Sequence, residues 1–204
     1  MNFLIFDMDG VLVDSTACHA RAFDDLWRRL GVDGPPYPEI AGQPTREVVA
    51  RYTRDVAEWT AFKQQRAREY LAEGSFAYDD ALPCLDAMRR AGIHMAVATG
   101  ASKVTAEMLL ERARLMPYLD FVLTADDVAA GKPDPEMYRR AVEQSGVAPA
   151  AAAVVEDSRS GLEAAAAATV PVACVRTGLT LDSPLFLGSF AGLREFGAAV
   201  GVPF

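Results

Sequence analysis

The sequence predicts an α/β fold: a Rossmann-like parallel sheet with helices on both faces, and a small all-helical domain inserted after the first strand. Three observations lead there. Short apolar runs are continuous rather than alternating, as expected of strands buried on both faces. Amphipathic helical stretches separate them, which implies right-handed crossovers and parallel strands. One segment, residues 15–79, carries helical stripes and no strand-like run.

The first run is FLIF, residues 3–6, and it leads straight into Asp7, Asp9 and Gly10. The insert follows, with Phe23, Leu26, Trp27 and Leu30 on one helical stripe and a breaker, GPPYP, at 34–38. Val48, Val49, Tyr52 and Val56 form a second stripe, and Trp59, Phe62 and Tyr70 a third. Because it enters directly after the first strand and its carboxylates, the insert is expected to sit over that strand's carboxyl end as a lid. The rhythm then resumes with a helix that has Pro83 in its first turn and Gly92 at its close. IHMAVA (93–98) and FVLT (121–124) read as strands, followed by a helix from Asp134-Pro135 to Gly146. AAVV (152–155) and VPVACV (170–175) complete the set, and the alanine-rich stretch 148–168 reads as close helix packing. Residues 179–204 hold LFLGSF and FGAAV, a last strand or helix of the core. The expected domains are a core of 1–14 with 80–204 and a helical cap of 15–79.

Composition narrows the function classes. The net charge is −8 and there is no basic run, so nucleic acid is not an expected partner. No apolar run approaches the roughly 18 residues of a membrane span, and FLIF is too short for a secretory h-region. Cys18, Cys84 and Cys174 are odd in number and lack C-x-x-C spacing, which speaks against a disulfide framework or zinc site and for a reducing compartment. A soluble cytoplasmic protein, monomer or weak dimer, is the expectation. An anionic substrate would have to be neutralised locally, since the overall field repels it.

Ligands of parallel α/β sheets bind at the carboxyl edge of the strands. The first strand delivers Asp7 and Asp9 there, and the second Thr99, Gly100, Ala101 and Ser102. The third is followed by Gly131-Lys132-Pro133, and the fourth by Glu156 and Asp157. Each has an ordinary explanation when taken alone: an Asp-Gly turn, a helix N-cap at Ser102, a solvated lysine, a capping turn. Together they supply a nucleophile, an acid, a cation, a phosphate cradle and a metal seat.

DMDGVLVD at 7–14, VATG at 97–100, GKPDPEMY at 131–138 and VVEDSRSGLEAA at 154–165 resemble, in order and spacing, the four motifs of the haloacid dehalogenase-like superfamily. The insert is similar to the cap of its subgroup containing β-phosphoglucomutase and phosphoglycolate phosphatase, and the likeness covers roughly residues 1–178. The resemblance implies that Asp7 is a nucleophile forming an aspartyl phosphate, which suits a reaction limited mainly by positioning and charge neutralisation. Asp9 would give a proton to the leaving oxygen and then take one from water. Mg²⁺ is the implied cofactor, with carboxylates from Asp7 and Asp157, the Asp9 carbonyl, and Glu156 touching the ion or standing just behind. His19 and His94 are isolated in the sequence, so no soft-metal site competes. The Thr99 hydroxyl and the amides of Gly100 and Ala101 would cradle the phosphoryl oxygens, and Lys132 would neutralise them.

Two details refine this. Aspartate at position 9 fits a phosphatase or phosphomutase, because a halide leaving group needs no proton and ion-pumping relatives carry threonine there. Gly100-Ala101 departs from the polar side chain that family members often carry after the hydroxyl residue, so phosphate contacts there rest on backbone amides. In the cap, Arg46 of GQPTRE (42–47) lies in the first turn of a helix, where the dipole disfavours a cation. The stretch resembles the cap loop that touches the distal part of sugar phosphates; the alternative for Arg46 is an ion pair with Glu39 or Glu47. His19 is a candidate for lid closure or substrate binding, against a purely structural role, and Arg66 is a further candidate. The expected activity is a Mg²⁺-dependent phosphatase acting on a small phosphorylated metabolite. The alternatives are β-phosphoglucomutase-like transfer and a noncatalytic binding protein, the last of which predicts decay of Asp7, Asp9, Lys132 or Asp157. None has decayed.

Overall fold

The apolar run Phe3–Phe6 (β1) is buried along its whole length, because its neighbours on either side are themselves covered strands. In this computed structural model, which describes residues 1–204 apart from Gly42, Ser75 and Phe204, β1 lies inside a six-stranded sheet. The other strands are His94–Ala98 (β2), Phe121–Leu123 (β3), Ala152–Glu156 (β4), Val172–Val175 (β5) and Phe186–Phe190 (β6). Their order is β3-β2-β1-β4-β5-β6 and every pairing is parallel. The register sets Phe6 beside Val97 and Val155, so the residues that follow β1, β2 and β4 emerge at one edge.

Helices Ala81–Arg90 (α5), Lys103–Arg112 (α6), Glu136–Ser145 (α7), Arg159–Ala167 (α8) and Leu193–Ala199 (α9) complete the crossovers. One core cluster joins Phe3, Ile5, Ala96, Val154 and Val172 to Met137, Tyr138, Leu162 and Ala165 of α7 and α8. On the chain's other parity Leu4, Phe6, Met95 and Val97 are equally buried, and α5 and α9 pack on β2 and on β5 with β6. Gly146 ends α7 and Gly92 follows α5, both at positive φ, a conformation that glycine adopts without the strain a side chain brings.

The element bounds differ from the sequence reading in a few places. Helix α5 does keep Pro83 in its first turn, as its third residue. The run VPVACV is strand only from Val172, since Thr169 takes a positive φ and turns the chain just before it. The final segment forms both a strand and a helix. β6 had no continuous apolar signature because it is an edge strand with alternating burial.

The chain divides into two compact units, residues 1–14 with 76–204, and residues 15–75. Residues 76–79, assigned to the cap from sequence, instead pair with the outgoing chain. Asp14 N–H donates to Phe76 O (2.7 Å), Tyr78 N–H donates to Leu12 O (3.1 Å), and Val13 bridges Ala77. The smaller unit is all helical: Thr16–Leu30 (α1), Tyr37–Ile40 (α2), Thr45–Val49 (α3) and Val56–Leu71 (α4). Phe23, Leu26, Trp27, Ile40, Val48 and Val49 make its core. The second sequence stripe is not one helix: α3 stops at Val49, Thr53 Oγ1 accepts from Asp55 N–H in the following turn, and Val56 opens α4.

Candidate active site

Beyond β1, Asp7 N–H still donates to Val155 O at 2.9 Å, so the ladder itself sets where its carboxylate stands. The chain then turns sharply: Leu12 and Val13 N–H both donate to Met8 O, and Gly10 N–H to Val13 O. Gly10 has φ +80°, and a Cβ there would fall 1.9 Å from Asp157 Oδ2, so only glycine lets this turn approach β4's carboxyl end.

Lys132 joins three of the collected segments. Its Nζ donates to Asp7 Oδ1 (2.5 Å), Glu156 Oε1 (2.6 Å) and Ala98 O (3.2 Å). Glu156 is fully buried and holds the lysine. Its Oε1 also accepts from the buried Tyr138 hydroxyl (2.6 Å), while Oε2 accepts from Asp157 N–H, Ser158 N–H and Ser158 Oγ. Five donors exceed the roughly four lone-pair directions of a carboxylate. Glu156 was expected among the metal residues; its oxygens are committed to the protein, and its role in the geometry is to anchor Lys132.

Ligand oxygens of Asp7, Glu156 and Asp157 lie within 4.8 Å of one another, and one buried oxygen of Asp9, Oδ1, has no hydrogen-bond partner among the described residues. Burial pushes the Asp7 carboxyl well above the usual carboxylate range, although Lys132 pulls it down. Burial, then the charge of Glu156, raises Asp157 to about 7. Glu156 goes the other way: burial raises it, but Lys132 and its hydrogen bonds outweigh that and hold it low. Burial works against the charge on Lys132 too, and Asp7 with Glu156 overrides it. One cation thus faces two buried acids with a half-buried third beside them, and an all-oxygen, electron-rich cluster of this kind fits a hard divalent ion such as Mg²⁺.

Thr99 is buried after β2, and its Oγ1 accepts from Ala101 N–H at 3.1 Å. Ala101's amide, expected to face a phosphoryl oxygen, is therefore engaged by Thr99, and Ala101 O accepts from Ala125 N–H. Ser102 sits at the N-cap position of α6 without a capping side-chain bond; its hydroxyl meets Thr105 at 3.0 Å. Asp7, Asp9, Thr99, Gly100, Ala101, Lys132, Glu156 and Asp157 all belong to the larger unit.

The cap candidates belong to the smaller one. His19 Nδ1 lies 2.9 Å from Nζ of the buried Lys63, and its ring stacks on Tyr37. Arg46 is exposed on α3, and among the described residues neither Glu39 nor Glu47 pairs with it. Gly42, the start of the stretch containing Arg46, lies outside the described residues. Arg66 is a structural residue, bonded to Asp25 at 2.8 Å and to Tyr70 and Glu69.

A family model described as haloacid dehalogenase-like hydrolase matches residues 1–169. The chain belongs to the haloacid dehalogenase-like hydrolases. Protein CbbY of Cereibacter sphaeroides is 33% identical over 180 residues, 79% of this chain and 78% of the relative. A phosphorylated carbohydrates phosphatase of Thermotoga maritima is 33% identical over 184 residues, 83% of this chain and 82% of that protein. Among solved structures, a mutant of CbbY from Rhodobacter sphaeroides in complex with xylulose-(1,5)bisphosphate is similar at TM-score 0.79 and 27% identity, covering 98% of each chain.

In this haloacid dehalogenase-like hydrolase the sequence reading missed Tyr138, Arg176 and Thr177. Tyr138 closes the GKPDPEMY stretch quoted above, where no role was assigned to it. Arg176 and Thr177 follow β5, the one long apolar strand whose carboxyl end was not inspected although the same strand-end rule applies to it.

Proposed function

We propose that this hydrolase is a Mg²⁺-dependent phosphatase that cleaves the phosphoric monoester of a small phosphorylated carbohydrate or phosphoglycolate-like metabolite through an aspartyl phosphate at Asp7. The observation that carries this reading is Lys132 joining Asp7 to Glu156, beside Asp157 and the unpartnered Asp9 oxygen. The printed names of relatives support the substrate class: besides the carbohydrate phosphatase, they include a phosphoglycolate phosphatase and a fructose-1-phosphate phosphatase.

An Asp7 carboxylate oxygen attacks phosphorus as the bond to the leaving alkoxide breaks, and Asp9, protonated, gives its proton to that alkoxide. Asp9 then takes a proton from water, whose oxygen attacks the aspartyl phosphate; the P–O bond to Asp7 breaks and inorganic phosphate leaves. Lys132 holds one Asp7 oxygen in place and neutralises charge on the phosphoryl group, and the Thr99 hydroxyl with the Gly100 amide orients its oxygens. Bound Mg²⁺, held by Asp7, Asp157 and the Asp9 carbonyl, would keep both carboxyls ionised and draw charge off the phosphoryl oxygens. In the cap, Arg46 is assigned to a hydroxyl or second phosphate of the substrate, and His19 to substrate binding or cap closure.

Phosphate release from a panel of sugar phosphates, phosphoglycolate, nucleotides and an aryl phosphate tests this. Turnover should require Mg²⁺ and stop in EDTA, and Asp7→Asn should lower kcat by about a thousandfold or more. Arg46→Ala should reorder the sugar phosphates while leaving the aryl phosphate nearly unchanged. Release that persists in EDTA or in Asp7→Asn rejects the mechanism, and conversion of β-glucose 1-phosphate to glucose 6-phosphate without free phosphate makes the enzyme a mutase.

A further inference from the structure

The carboxyl end of β5 carries a contact set that the mechanism above does not use. Arg176 adopts φ +67°, a left-handed conformation uncommon for a non-glycine residue and often retained where the surroundings impose it for a purpose. Its backbone is fixed by a bond from its N–H to Phe190 O at 2.9 Å. Its guanidinium then reaches back: Nε and Nη2 donate to Val11 O at 3.3 and 3.0 Å, and Nη2 also donates to Asp80 Oδ1 at 2.6 Å. Its Cζ sits over the Tyr78 ring, 3.6 Å from the centroid. Asp80 is held in turn, its Oδ2 accepting from Leu193 N–H at the start of α9 at 2.9 Å.

These partners belong to two stretches. Val11 is inside the Met8–Val13 turn that carries Asp9 and Gly10. Tyr78 and Asp80 are on the chain returning from residues 15–75, which is already paired to that turn through Tyr78 N–H and Leu12 O. One residue on, Thr177 Oγ1 donates to the backbone carbonyl of Asp157 at 2.7 Å. A planar fork that bonds a carbonyl and a carboxylate while stacking on an aromatic ring is a task that Arg performs and Lys does not.

We propose that Arg176 and Thr177 are positioning residues for the phosphoryl-transfer chemistry proposed above: Arg176 clamps the turn carrying Asp9 to the returning chain, and Thr177 fixes the backbone at Asp157. The inference rests on the phosphatase reading for its kinetic arm only.

The full chain with Arg176→Gly, Arg176→Lys and Thr177→Val tests it by hydrogen exchange and by hydrolysis of p-nitrophenyl phosphate with Mg²⁺. Glycine removes the guanidinium while relieving the left-handed backbone, so a purely local packing role leaves catalysis unaffected in that variant. The clamp predicts faster exchange confined to residues 8–14 and 76–80 in Arg176→Gly, with β4 and α7 protected as in the parent. It also predicts kcat lowered on the order of tenfold to a hundredfold with KM nearly constant, and only partial recovery in Arg176→Lys. Thr177→Val should lower kcat without changing exchange at 76–80. Unchanged exchange in both stretches, or an unchanged kcat in Arg176→Gly, overturns the proposal. A parent protein that does not hydrolyse the ester defeats the phosphatase reading instead, and the exchange result alone then decides the clamp.

Discussion

A methyl group on Gly161 would lie 1.9 Å from the Glu156 carboxylate, closer than any pair of non-bonded heavy atoms can approach. The reason is local. Ser158 at the N-cap position of α8 accepts from Gly161 N–H and donates to Glu156, so the first turn of the helix is wrapped around this buried acid. Glu156 in turn holds Lys132 against Asp7, and a shift at residue 161 is passed to the Asp7 carboxylate through two hydrogen bonds of 2.6 and 2.5 Å. Gly161→Ala should therefore destabilise the protein by about 1–3 kcal/mol in denaturant unfolding, as overpacking does, and should also lower kcat at temperatures where the variant is fully folded. Loss of stability with kcat intact would mean that Glu156 does not position Lys132.

Helices α1 and α4 are joined by charge as well as by apolar contact. Asp25 of α1 accepts from the Tyr70 hydroxyl and from Arg66, both of α4, and from Arg28 of its own helix. The Tyr70 hydrogen bond, with the arginines, outweighs partial burial and holds the Asp25 carboxyl below the usual carboxylate range. A depressed folded-state value contributes stability above the unfolded value, about 4, that is lost as pH falls through it. Asp25→Asn should cost about 1 kcal/mol at neutral pH, with the difference from the parent shrinking by about pH 3; unfolding at both pH values measures it, and an equal gap at both would show that the carboxylate's charge contributes nothing. No sequence pattern announced this network, because Asp25 and Arg66 lie on separate helices and become neighbours only when the helices pack. The strands were different. β1, β2, β4 and β5 were legible because burial on both faces forces an unbroken apolar run, whereas the edge strand β6, with Leu187 and Ser189 exposed, has none. The site was legible to the same degree: acids and lysine at strand ends stood out, while Tyr138, quoted within GKPDPEMY, gave no sign that its hydroxyl meets Glu156, and the Arg-Thr pair after β5 carried no pattern of its own.

Across the whole molecule, charge is unevenly shared. Residues 15–75 hold nine Lys and Arg against nine Asp and Glu, so the net −8 resides entirely in the larger unit, the one with the acidic cluster. A phosphorylated substrate approaches against that field, and screening should help it: kcat/KM for a dianionic ester at saturating Mg²⁺ should rise as salt goes from about 0.01 to 0.1 M, over which the Debye length falls from roughly 30 to 10 Å. A steep fall would indicate attractive steering by cations and contradict the repulsion. In the proposed mechanism local neutralisation falls to Lys132, a bound divalent ion and the amides at the strand ends, and it has one purpose, to let a buried carboxylate at residue 7 meet a phosphate. Borohydride added during turnover reduces an acyl phosphate to an alcohol, and peptide mass spectrometry locates the product. The account predicts the reduced side chain at Asp7, dependent on Mg²⁺ and missing in Asp157→Asn. Reduction at another residue, or none at all while phosphate is being released, would contradict it.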